Sequence, residues 1–301
     1  MKSFLHILTA SYNKQKRHYC SVKRGNYKNA CSVSGMLKVW FSMRLVDAHI
    51  HLSDQEYAEC IEEIIRESER ANVAALVSNS MDLETSLESL RLSGKYEGRV
   101  YAAVGVHPWS VNAVGEVGLL QTSELILKEG QSGALVAIGE IGLDRKYDSP
   151  WEKQVKVFEE MLKLGEKPGL PVIIHSRGTT EQILGMLPSY NLKKVLLHWF
   201  SNPISALAKA VEKGYFISEG VPTAFSNGIR GVVKRVPLTN LLTETDGPVR
   251  FSKPPFEGKR TTPAFIPTVV KAIAEIKKTD VETVAEQIAK NFESFFTVRL
   301  N

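Results

Sequence analysis

Cysteine is scarce in this chain: Cys20, Cys31 and Cys60 are all that 301 residues contain. Three thiols make no disulfide framework, and Cys20 and Cys31 lack Cys or His partners at metal-binding spacing. That excludes a small stapled scaffold and points to a reducing compartment, the cytoplasm. Long apolar runs are missing too. The longest, near Ala134–Ile138, is strand-sized, far below the roughly 20 residues of a membrane span, so no membrane partner is expected. The third absence is of acid. Residues 1–44 hold nine of the 38 Lys and Arg residues and no Asp or Glu, which leaves 29 basic against 33 acidic side chains in the remainder. The net charge of +5 therefore belongs to the N-terminal segment, and the rest of the chain is slightly acidic. The basic balance is thus no argument for electrostatic capture of nucleic acid.

Three readings of residues 1–44 stand open. Basic, acid-free and fairly rich in Ser, they suit a transit peptide. They equally suit a disordered basic arm. Alternatively they precede the physiological start, because Met43 stands four residues before Asp47, where a compact domain would begin. A secretory leader is not expected: FLHIL is short, is broken by His6, and lacks a clear small-residue cleavage site.

From Leu45 to the end, strand-like and helix-like segments alternate. Strands are expected to begin near residues 45, 73, 100, 134, 171, 194, 215 and 241. Runs such as VAALV, LVAIG, PVIIH and KVLLH are almost continuously apolar, as parallel strands buried on both faces are. Ser53 with Glu56 reads as a capping box opening the first helix, which would carry Cys60 and the apolar face Ile61, Ile64 and Ile65. Ser149-Pro150-Trp151-Glu152 reads as another helix start. The segment from Pro263 to Phe296 reads as two helices, the second capped by Asp280. Eight βα units suit a closed (β/α)8 TIM barrel of one domain over residues 45–301.

Five of the seven histidines sit at the ends of the expected strands: His49, His51, His107, His175 and His198. Glu140, in GEIGLD, and Asp246, in TETDGP, sit the same way. His49 and His51 are two apart, so their rings share one face of a strand. A TIM barrel places its chemistry at the C-terminal ends of its strands. Four His with two carboxylates suit two borderline divalent ions, and burying that many ionisable groups without metal would cost several kcal/mol. Two ions about 3.5–4 Å apart can hold a bridging hydroxide and stabilise an in-line displacement at phosphorus. His107, held before Pro108, reads as a substrate contact or a turn-stabilising residue. Asp144 reads either as the orienter of a neighbouring ligand or as a cap of the next loop. Arg177 suits a phosphate and Trp199 a base, with a surface or packing role the alternative for each. Trp109 and Trp151 have weaker claims to stacking. Lys253, Lys259 and Arg260 lie in a loop able to close over phosphates or to stay solvated.

DAHIHL, GVHP, GEIGLD, PVIIHSR, LHWFS and TETDGP occur in order, and together they resemble the signature segments of the TatD family of metal-dependent hydrolases, within the amidohydrolase superfamily. The resemblance spans about residues 45–298. It implies a TIM barrel, two divalent ions (Mg²⁺, Mn²⁺ or Zn²⁺) and deoxyribonuclease activity, 3′→5′ exonucleolytic, in a monomer acting on DNA. By the same resemblance, one ion would be held by His49, His51, Glu140 and Asp246. The second would be held by Glu140, His175 and His198, with Glu140 bridging. Asp246 would be the general base and His107 the non-ligand His near the scissile phosphate. A two-metal hydrolase of another bond, an amide or a D-aminoacyl-tRNA ester, is the alternative. The chain departs from the family pattern at Glu219, an unexpected charge near the mouth, and at Gly247, where Ala or Ser is usual.

Overall fold

The computed structural model describes residues 43–167, 169–201 and 204–300. The expectations for residues 1–42, including Cys20 and Cys31, lie outside the described residues. The elements run β1 (Leu45–Ile50), α1 (Ile61–Arg70), β2 (Val73–Asn79), α2 (Leu83–Lys95), β3 (Val100–Val104) and α3 (Val111–Ser132). They continue as β4 (Leu135–Asp144), α4 (Trp151–Glu166), β5 (Val172–Arg177), α5 (Thr180–Met186), β6 (Val195–Leu197) and α6 (Ile204–Glu212). The last are β7 (Phe216–Glu219), α7 (Asn227–Arg235), β8 (Leu241–Thr243), α8 (Ile266–Lys277) and α9 (Val281–Phe296). The eight strands pair in sequential order, each parallel to the next. This is the expected TIM barrel. Every residue of β1 and of β4 is buried, which is why those runs carry no alternation.

The barrel closes between β8 and β1 by individual hydrogen bonds. The Asp246 N–H donates to the His49 carbonyl (2.9 Å), and the His51 N–H donates to the Gly247 carbonyl (2.9 Å). Asp47, wholly buried, accepts from the Thr245 N–H (3.0 Å) and hydroxyl (2.5 Å). Closure therefore fixes His49, His51 and Asp246 relative to one another. Helix α9, with Val284, Ile288 and Phe292 buried, covers the outside of this seam, and Asp280 caps it by accepting from the Thr283 N–H at 2.6 Å.

Two local expectations are corrected. Residues 53–60 form turns, and α1 begins only at Ile61, so Cys60 precedes the helix instead of lying on it. The Glu56 carboxylate is taken by the Arg250 guanidinium (3.0 Å), so no capping box forms. Helix α4 does begin at Trp151, but the Ser149 hydroxyl donates to the Pro108 carbonyl (3.0 Å) instead of capping it. Arg260, in the loop after β8, binds the Glu56 carbonyl and Cys60 Sγ, which ties that loop to the 53–60 turns.

Gly247 has a packing reason. The buried Tyr57 hydroxyl donates to the Thr261 carbonyl through the space that a side chain at 247 would need. A Cβ there would overlap Tyr57 Oη and lie 2.8 Å from the Thr261 oxygen. Gly247→Ala is expected to cost about 1–3 kcal/mol, or roughly 2–4 °C of melting temperature per kcal/mol in a domain of this size. Tyr57→Phe in the same chain should make the combined loss smaller than the sum, because the colliding oxygen is gone. Additive losses in thermal unfolding would contradict this account.

Candidate metal centre

All six residues expected to hold metal meet at the C-terminal mouth of the barrel. His49 is the penultimate residue of β1, and His51 follows the strand directly. His175 lies in β5, His198 follows β6, and Asp246 stands three residues beyond β8. Glu140 differs from expectation, since it lies inside β4 and not at its end. A register shift between Ile138 and Ile141 marks a bulge at this point, and the Glu140 N–H bonds the Ser80 carbonyl (3.0 Å) instead of β5. Bulges re-aim a side chain without ending a strand. Gly142, at φ 153°, then lets β4 approach β5 so closely that any side chain there would overlap the His175 carbonyl. The second glycine of GEIGLD thus serves to position His175.

The two oxygens of Glu140 face different neighbours. Oε2 stands 3.2 Å from His49 Nε2 and 3.3 Å from His51 Nε2. Asp246 Oδ1 stands 3.5 and 3.4 Å from the same two nitrogens, which are 3.3 Å apart. Four ligand atoms arranged tetrahedrally around an ion at the usual 2.0–2.2 Å stand about 3.3–3.6 Å from one another. The five spacings from 3.2 to 3.5 Å therefore lie close to the edges of such a coordination polyhedron. The His51 Nδ1–H donates to the Asn79 carbonyl (3.1 Å), which aims Nε2 at the cluster.

On the other side, Oε1 receives His198 Nε2 at 2.7 Å, His175 Nδ1 at 2.9 Å and His107 Nε2 at 3.3 Å. These contacts include true hydrogen-bond lengths, so this half of the cluster is drawn in on Glu140. The His49 and His198 rings stack at 3.9 Å. His107 shares Oε1 with the two expected ligands, and its Nδ1 accepts from the Trp109 backbone N–H at 3.2 Å. Metal-competent groupings of these atoms are His49/His51/Asp246, His49/Glu140/His198 and His107/Glu140/His175.

Charge follows the geometry. Burial pulls the His51 ring down, but the hydrogen bonds and charges of Asp246 and Glu140 outweigh it and hold the ring up at about 10. For His107 burial prevails over Glu140 and lowers the ring to about 4, so it is neutral at pH 7. Burial opposes the Glu140 charge, yet the surrounding imidazoles keep its carboxyl well below the ordinary range. A buried anion ringed by imidazoles suits a cation, which is the fit expected of this donor set.

Residues outside the six fall into place around them. Asp144 Oδ2 faces His175 Nε2 at 3.0 Å and accepts from the Trp109 indole N–H at 2.8 Å, while Oδ1 accepts the Lys146 and Tyr147 N–H groups at 2.7 and 3.2 Å. Asp144 thus both orients a candidate ligand and caps the loop, so neither reading excludes the other. Arg177 and Trp199 line the same cavity, of about 710 Å³, as His107, His175 and Asp246. Arg177 is exposed and has no ion pair among the described residues, and Trp199 leans on Phe251 with ring centroids 5.9 Å apart. Trp151 is covered by the Arg145 guanidinium, 3.3 Å from its ring centroid. Lys253 and Lys259 are exposed, outside the residues that line the cavity.

The reading of residues one by one passed over Glu244. It is buried, its Oε2 accepts from the Ser218 hydroxyl, and it stands 3.7 Å from His198 Nδ1. Its position two residues before Asp246 was the only available signal. Glu219, next to Ser218, is fully buried, and neither of its oxygens has a hydrogen-bond partner. Burial and then the Glu244 charge push its carboxyl well above the ordinary range, so it is held neutral rather than presenting a charge at the mouth.

Residues 46–297 match the family described as TatD related DNase. An uncharacterized metal-dependent hydrolase of Bacillus subtilis, YabD, is 32% identical over 260 residues, which are 84% of this chain and 99% of that protein. A 3′-5′ ssDNA/RNA exonuclease of Erwinia amylovora, TatD, is 27% identical over 269 residues, 84% of this chain and 99% of its own length. The crystal structure of the Escherichia coli TatD homolog YjjV superposes with a TM-score of 0.79 at 27% identity, covering 86% of this chain and 99% of that one.

Proposed function

The chain belongs to the TatD-related DNase family, and from that premise we propose that it is a divalent-metal-dependent hydrolase of phosphodiester bonds, cutting DNA from the 3′ end. One observation carries the reading. Four converging donor atoms, from His49, His51, Glu140 and Asp246, are spaced as ligands of one ion, and the second oxygen of Glu140 serves a second set, His175 and His198. We assign one ion to each set, with Glu140 shared. When bound, such ions supply Lewis-acid polarisation and make water nucleophilic at neutral pH. The protein does the rest. Asp246 turns Oδ1 to His49 and His51, and in this reading its carboxylate takes the proton of the attacking water. His107, neutral and in the cavity wall, orients a non-bridging phosphate oxygen, and Arg177 and Trp199 contact the strand. All of these residues belong to the barrel, and we read the enzyme as a monomer. Cys60 is a free thiol among the described residues, and we place the enzyme in the cytoplasm.

The direct test is digestion of an end-labelled single strand with Mg²⁺, Mn²⁺ and Zn²⁺ in parallel. A 3′-to-5′ ladder dependent on added metal is expected. Absence of cleavage with all three, alongside hydrolysis of an amide or aminoacyl ester, would reassign the bond.

Metal affinity is expected to depend on pH with a definite sign. In the ion-free chain His51 is protonated up to about pH 10, and a cation must displace that proton. Apparent affinity should therefore rise with pH through the neutral range and fall as pH drops, with net proton release. Calorimetric Mn²⁺ titrations at pH 6.5 and 7.5, in buffers of different ionisation enthalpy, check this. Equal affinities with no proton release would contradict it.

A further inference from the structure

Trp109 and Tyr147 are 38% and 45% exposed, and no other aromatic residue belongs to the exposed large hydrophobics among the described residues. Their rings are stacked, with centroids 4.7 Å apart and planes 18° from parallel. Trp109 lines the cavity that contains Glu140 and His175. The pair is only partly buried, and it leaves aromatic surface open to solvent at the rim of the cavity, where a ligand can cover it. Its rigidity suits the same role. Asp144, with a fully buried side chain, fixes the indole through Nε1 at 2.8 Å, and it holds the Tyr147 backbone N–H at 3.2 Å. The same carboxylate holds His175 at 3.0 Å, and the His107 ring meets the indole at 90°. The rings are thus locked in position relative to the metal centre before any substrate arrives, which lowers the entropy cost of stacking.

We propose that Trp109 and Tyr147 form a stacking platform for an unpaired nucleobase next to the scissile phosphate, with Asp144 as the positioning residue that ties the platform to His175. The proposal rests on the nuclease reading and adds to it the subsite that takes the base: a base of a single strand or a frayed end, because inside a duplex both faces of a base are stacked on its neighbours. Electrostatics favour the same conclusion. Residues 45–301 carry 29 basic against 33 acidic side chains, so phosphate attraction is a weak source of affinity, whereas stacking acts on every base irrespective of sequence. The other tryptophans near the mouth differ: Trp151 lies outside the cavity lining under the Arg145 guanidinium, and Trp199 packs on Phe251.

The test compares two 5′-labelled oligonucleotides with the Mn²⁺-loaded full chain. One is an ordinary single strand, and the other carries abasic residues at its 3′ end. Trp109→Ala should raise KM on the ordinary strand by about 10- to 100-fold with kcat little changed. It should leave the abasic strand, already poor for the unaltered enzyme, nearly unaffected. Tyr147→Ala, which keeps the backbone bond to Asp144, should show the same pattern with a smaller loss. Asp144→Asn should instead lower kcat on both strands, through His175. Equal losses on both strands for Trp109→Ala, or no loss on either, would overturn the platform. If the unaltered enzyme cleaves neither strand, the nuclease reading itself fails, and that outcome is distinct from cleavage of both strands without preference for a base.

Discussion

Replacing Glu140 by alanine is expected to reduce hydrolysis beyond about 10³-fold and to strip divalent ion from the protein, with the barrel still folded. No other side chain touches as much of the centre. One oxygen is 3.2 and 3.3 Å from the β1 histidines, and the other is 2.7 and 2.9 Å from His198 and His175. Removing the carboxylate takes a ligand from both halves of the cluster and the buried negative charge that lets imidazoles gather around a cation. Glu140→Gln separates these effects from loss of volume. It fills the same space, keeps one oxygen, and lacks the charge, so it should also lose ion and activity. Metal content by plasma emission, circular dichroism and cleavage rate together decide. Wild-type turnover in either variant would remove Glu140 from the centre.

Asp246→Asn is expected to lower kcat by roughly 10²–10⁴-fold while retaining a larger share of the bound metal than Glu140→Ala. The substitution is the informative one because of the backbone. Asp246 sits at φ 50°, a left-handed conformation that Asn tolerates and most other residues do not. Asp246→Ala would mix backbone strain with lost chemistry. Asparagine keeps an oxygen where Oδ1 now faces His49 and His51 but cannot accept the proton of water. Full activity in Asp246→Asn would exclude Asp246 as the general base, whereas complete loss of ion would make it a ligand whose removal hides any role in proton transfer.

Much of this protein is legible without coordinates. Each expected strand start falls within one residue of the observed one, because a parallel strand buried on both faces must be apolar almost throughout, and polar loops interrupt it sharply. The gathering of His49, His51, His175, His198, Glu140 and Asp246 follows from the same regularity: in a barrel of parallel strands, one end of every strand reaches one mouth. What linear order could not show were contacts between distant residues. Glu56 looked like a capping residue until Arg250, 194 positions later, took its carboxylate. Asp144 appeared to have one of two roles and performs both, because Trp109 reaches it from the turn after β3 and His175 from β5.

The kinds of residue that build the centre, and the strand ends that carry them, are therefore properties of the sequence, set by burial and by the period of βα units. Which oxygen of Glu140 faces which histidine, that His175 presents Nδ1 and His51 Nε2, and that an exposed aromatic pair is locked beside them were decided only by the tertiary structure. The physical reason is that these depend on a bulge in β4, on the seam between β8 and β1, and on one buried carboxylate, each a contact between segments whose separation along the chain carries no record of it.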